Sequence, residues 1–95
     1  MADQPNVPQQ QLQINTIDEM SRGRYANSMI VTHSPEEFIM DWLINTPNGT
    51  HLVSRIITSP GHIKRIIDAL TVNLNIYEKN FGTIKIAEPG DHKFH

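Results

Sequence analysis

Apolar and polar positions first alternate along this chain and then fall into a longer period. "RYANSMIVTH" over 24–33 and "HLVSRIITS" over 51–59 alternate, and the second is rich in β-branched residues, so both predict strands. Between them, "EFIMDWLIN" over 37–45 places Phe38, Met40, Trp42 and Ile44 on one side of an extended chain. "TPNGT" over 46–50 carries Pro and Asn-Gly and predicts a hairpin turn. A competing reading exists for 34–45. Ser34, Pro35 and Glu37 also compose a helix capping box, and a helix would align Phe38 with Trp42. The alternation and the adjacent turn favour the strand.

The period then changes. Ile63, Ile66, Ile67, Leu70, Leu74, Tyr77 and Phe81 follow at steps of mostly three and four, which predicts a long amphipathic helix. Ser59 can cap it, Pro60 fits its first position, and Gly82 can end it. "TIKIA" after Gly82 allows a short final strand. Residues 1–21 are rich in Gln, Asn, Pro and Asp and predict a loosely ordered arm, with a short strand near Leu12–Ile14 as the lesser reading. Residues 87–95 predict a tail. The folded domain expected is thus 22–86.

Folding the hairpin about Asn48 sets Asn45 opposite His51, Asp41 opposite Arg55 and Met40 opposite Ile56. With "SPEE" as the preceding turn, Val31 lies beside Met40 and Met29 beside Trp42. One sheet face then gathers Met29, Val31, Phe38, Met40, Trp42, Ile44, Leu52 and Ile56, a natural seat for the helix. The expected fold is α+β: an antiparallel meander of about three strands followed by one long helix.

The opposite face carries Ile30, Ile39, Leu43, Val53 and Ile57 around an Asp41–Arg55 pair, where a solvated face would be mostly polar. Ala69, Val72 and Ile76 form a second surplus, off the main helix stripe. These residues, with Asp41 and Arg55, are the interface candidates.

Composition sharpens the point. A chain of 95 residues is one small domain whose core alone gives marginal stability, and with no cysteine neither disulfides nor a thiolate zinc site can support it. Oligomerisation is the common remaining route, so a homodimer or higher homo-oligomer is expected, with an unidentified protein partner as the other occupant. The net charge of −2 argues against nonspecific nucleic-acid binding. No apolar run reaches the ~18 residues of a membrane span, and the first residues do not read as a signal peptide. A cysteine-free chain fits a reducing cytoplasm.

Candidate chemistry is sparse. No phosphate loop, dinucleotide fingerprint, nucleophile elbow or metal-ligand motif occurs, so no catalytic residue, metal or cofactor is assigned, and an enzyme is the third-ranked class. His92 and His95 flank "KF" in the tail and are read as solvated. Lys64 and Asp68 sit one turn apart and read as a helix-surface ion pair. The second-ranked function is an anion or nucleic-acid site at the helix start, where "SPGHIKR" sets His62, Lys64 and Arg65 beside free N–H groups. Against it, Ser59 uses one of those groups and Pro60 removes another.

Ala26-Asn27, Glu37-Phe38, Ser54-Arg55, Ser59-Pro60, Tyr77-Glu78 and Phe81-Gly82-Thr83-Ile84 together resemble the pattern of the bacterial domain-of-unknown-function family 3467, over about 60 residues. Where that family often has Asp-Phe, this chain has Asp41-Trp42, which keeps the aromatic. The resemblance implies a small α+β domain and a strand over 37–45. It implies no activity, and no catalytic residue is carried over from it.

Overall fold

The computed structural model describes residues 12–86. Three strands, β1 (Ser28–His33), β2 (Phe38–Thr46) and β3 (Gly49–Thr58), form an antiparallel sheet in sequence order. A one-turn helix α1 (Asp18–Arg22) precedes the sheet and a long helix α2 (Pro60–Phe81) follows it. The α+β architecture is the expected one, and 38–46 is strand. Ser34 shows why: its hydroxyl accepts the N–H groups of Glu36 and Glu37, and its own N–H donates to the Glu37 carbonyl at 2.9 Å. The residues that could have capped a helix instead close the β1–β2 turn.

The β2–β3 turn has an unusual division of labour. Pro47 cannot take a positive φ, and among the described residues only glycines do. The positive φ that a tight hairpin needs therefore falls on Gly49, at 130°. Thr46 locks the turn: its hydroxyl accepts the Asn48 N–H at 3.2 Å and donates to the Gly49 carbonyl at 3.0 Å.

At the other end of the β1–β2 ladder, Asn27 acts as a strand residue through its side chain. Its amide donates to the Asn45 carbonyl at 3.1 Å and accepts the Asn45 N–H at 2.8 Å, while its backbone N–H donates to Leu43 O at 3.0 Å. Two ladder bonds are thereby made one residue before β1 itself begins.

The expected pairing holds for Asp41 with Arg55 and Met40 with Ile56, but slips by one beyond a bulge. Trp42 pairs with Ser54, and Leu43 with Leu52, leaving Val53 as the extra residue. Ile44, not Asn45, thus faces His51. A one-residue slip reverses which side a residue faces. Leu52 therefore joins the face of Ile39, Leu43 and Ile57, and Val53 joins Trp42 and Ile56 on the other.

Three more expectations are corrected. The arm expected over 1–21 contains α1 within its described part, and residues 12–14 form no strand; residues 1–11 lie outside the described range. Residues 82–86 are not a strand, and the tail 87–95, with His92 and His95, lies outside the described residues. Most consequential, α2 is not seated on its own sheet. Only Ser59 separates Thr58 of β3 from Pro60 of α2. Such strand-to-helix connections ordinarily run to about two to six residues. A single linking residue with extended φ and ψ of −79° and 157° leaves no room for the chain to reverse over the sheet.

Burial follows from that geometry. Met40, 8% exposed, is the one buried hydrophobic among the described residues, and α2 contains none. Along α2 only Ile63, Ile66 and Glu78 are even half-covered.

Candidate interaction surface

Two sheet faces and one helix make up the surface that could act. Face one carries Met29, Val31, Phe38, Met40, Trp42, Ile44 and Ile56, in the register fixed by the strand pairing. Residues 17–26 stand beside part of it. Between them runs an open groove of about 780 Å³, lined by Ile17, Met20, Tyr25, Trp42, Val53 and Ile56, among others. An Arg24–Glu19 ion pair at 3.3 Å lies at its rim. The groove holds no group of three or more metal-ligating side chains, nor does any other part of the described chain.

Face two gathers Ile30, Ile39, Leu43, Leu52 and Ile57. Ile30, Leu52 and Ile57 are each about half exposed, at 53%, 55% and 52%. In the middle of this apolar field Arg55 grips Asp41 in a two-pronged bond, Nε donating to Oδ1 at 2.7 Å and Nη2 to Oδ2 at 2.9 Å. The hydrogen bond from Arg55 is the main reason the Asp41 carboxyl is held below its ordinary value of 3.8. The guanidinium charge adds to this, and desolvation works against it. The same hydrogen bond, then the carboxylate charge, raises Arg55. The Asp41 side chain is 19% exposed and that of Arg55 55%, so the pair is a shielded anion under an open cation. Both ions satisfy each other, which suits a structural pair rather than a general base.

The third element is α2. Ser59 caps it by accepting the His62 N–H at 3.2 Å, and the Gly82 N–H closes it on Glu78 O at 2.9 Å. After Gly82 the chain turns back, so that the Ile84 N–H donates to Glu78 Oε2 at 2.9 Å. Leu70, Leu74, Tyr77 and Phe81 are all exposed on one side, Phe81 at 74%, and Val72 and Ile76 are exposed off that side. A helix apolar around so much of its circumference is normally buried.

Of the residues singled out in the sequence, the structure groups Ile30, Ile39, Asp41, Leu43, Arg55 and Ile57 on face two, as expected. It moves Val53 to face one and supplies Leu52, which an unbroken hairpin register hides. Ala69, Val72 and Ile76 are exposed on α2. His62, Lys64 and Arg65 are exposed at its start. The expected Lys64–Asp68 ion pair does not form: among the described residues the ion pairs are Arg24–Glu19 and Arg55–Asp41. No described helix is long and apolar enough to cross a membrane.

A comparison against known families places the chain. The profile of the family described as "Protein of unknown function (DUF3467)" matches residues 1–86. The chain belongs to this family. The motifs that carry the likeness now have physical roles: Asn27 extends the ladder, Ser54-Arg55 sits at the bulge and the ion pair, Ser59-Pro60 starts α2, and Glu78 with Gly82 and Ile84 closes it. Searches of curated proteins and of solved structures return no match.

Proposed function

We propose that this protein is a non-enzymatic module that works as a homo-oligomer, assembling through face two of its sheet and the apolar sides of α2. The observation that carries this reading is the missing core: one buried hydrophobic side chain, Met40, among the described residues. Folding a domain this size costs on the order of 100 kcal/mol of chain entropy, which only extensive burial can offset. An isolated helix of this length is also marginal in water without packing. The exposed apolar side chains are thus the surplus that a further chain would cover. A cytoplasmic setting fits the absence of cysteine.

The test is the mass in solution of the purified protein and of the double variant Ile39→Asp with Ile57→Asp, which buries two carboxylates in any assembly through face two. The wild type is expected to sediment as a dimer or larger species and the variant as a smaller, less stable one. A wild type that is a monomer at micromolar concentration would refute the proposal. A variant of unchanged mass would remove face two from the interface.

A further inference from the structure

The spacing along α2 says more than amphipathicity. Ile63, Ile67, Leu70, Leu74, Tyr77 and Phe81 follow at steps of four, three, four, three and four. That is a period of 3.5 sustained for nearly three heptads, the repeat of a coiled-coil seam rather than of a helix lying on a sheet. In that frame Ile67, Leu74 and Phe81 are a positions, and Ile63, Leu70 and Tyr77 are d positions. Five of the six, Ile67, Leu70, Leu74, Tyr77 and Phe81, are about half exposed or more.

Charges beside the seam choose the direction. Lys64 and Glu78 both occupy e positions, two heptads and about 21 Å apart, so they cannot meet within one chain. Neither makes an ion pair among those of the described residues. Between antiparallel helices e positions flank e positions, and this kind of pairing sets partner orientation. Turning a second α2 end for end about an axis in the seam, level with Val72, sets Lys64 of each chain against Glu78 of the other. The same operation layers Ile63 on Phe81, Ile67 on Tyr77 and Leu70 on Leu74. A parallel pair matches neither charge, since Glu78 would then flank Asn73. The shallow groove lined by Leu74, Tyr77, Phe81 and Ile84 at the C-terminal end lies where the Ile63 of a second copy would arrive.

We infer that α2 pairs antiparallel with α2 of a second copy along this seam, Lys64 of each chain bridging to Glu78 of the other. The inference rests on the self-association proposed above. Six seam residues at roughly 100 Å² each supply about 600 Å² per chain, somewhat under the ~800 Å² of a standard interface, so the sheet contributes the remainder.

The experiment uses the full chain. Its lack of cysteine makes any introduced thiol unique. Asn73→Cys sits beside the two-fold axis and should be joined to its copy by a short bifunctional thiol cross-linker. Asn80→Cys should not be, because its thiols lie about 24 Å apart along an antiparallel pair. A parallel pair would treat the two positions alike. Lys64→Glu should weaken dimerisation about tenfold by setting like charges together at both ends. Adding Glu78→Lys should return the affinity to within about threefold, although the Ile84 N–H then loses its acceptor. If the protein is a dimer yet both thiols cross-link alike, neither does, or Lys64→Glu has no effect, this pairing is wrong while self-association stands. If the protein is a monomer, both fall.

Discussion

Leu70→Ala separates a lone chain from an assembly. Leu70 is 63% exposed in the middle of α2. Fully burying a leucine side chain stabilises by about 1.5–3 kcal/mol, so roughly 1–2 kcal/mol per chain remains to be gained on association. A symmetric dimer contains the residue twice, which makes the loss in the variant about 2–4 kcal/mol, or a dissociation constant raised roughly 30- to 1,000-fold. In a monomer the sign reverses. The truncated side chain was already in water, and alanine is the better helix former by a few tenths of a kcal/mol, so the variant would be unchanged or slightly more stable. Sedimentation velocity over a concentration series measures the first quantity. Thermal unfolding followed by circular dichroism measures the second, and for an assembly its midpoint rises with protein concentration. A Leu70→Ala protein with wild-type mass and an equal or higher, concentration-independent midpoint would refute the reasoning.

Other outcomes follow from the sheet and the helix start. Asp41 titrates below its ordinary 3.8 in the folded chain, so its pairing with Arg55 stabilises the fold above that value and is lost as pH falls through the lower, folded one. Asp41→Asn should flatten that acid limb in urea titrations between about pH 5 and pH 2; an unchanged limb would remove the pair from the account. Asn27→Ala removes two side-chain bonds that continue the ladder and should cost about 1–2 kcal/mol in denaturant unfolding, with a loss below ~0.3 kcal/mol contradicting its role. Lys64 and Arg65 flank a helix start whose cap is already made, so the wild type should show no salt-sensitive binding to single- or double-stranded nucleic acid at low salt. Binding abolished by Lys64→Glu with Arg65→Glu would revive an anion site.

Local chemistry made most of the elements readable in advance. Alternation marked the strands, Pro-Asn-Gly marked the hairpin, and Ser59, Pro60 and Gly82 bracketed α2 because caps are short-range devices. Asp41 opposite Arg55 was legible because the register near them is regular. Leu52 and Val53 exchanged faces because a bulge adds one residue without leaving a glycine or proline to announce it. Asn27 gave no signal as a ladder extender, since both of its side-chain bonds are made to Asn45, eighteen residues away on β2. The seat of α2 was misread for a different reason. Its apolar stripe and the sheet's apolar face are complementary in composition, but the single residue between β3 and α2 prevents them from meeting within one chain. Composition indicates that a surface must be covered; the length of the connection decides whether the same chain can cover it.

Sedimentation equilibrium of the wild-type protein at micromolar concentration tests the central claim most directly. The account predicts a mass of at least twice the 10.8 kDa of one chain, dissociating on dilution with loss of helical signal. A single species at the mass of one chain, helical and cooperatively folded at every concentration, would contradict it.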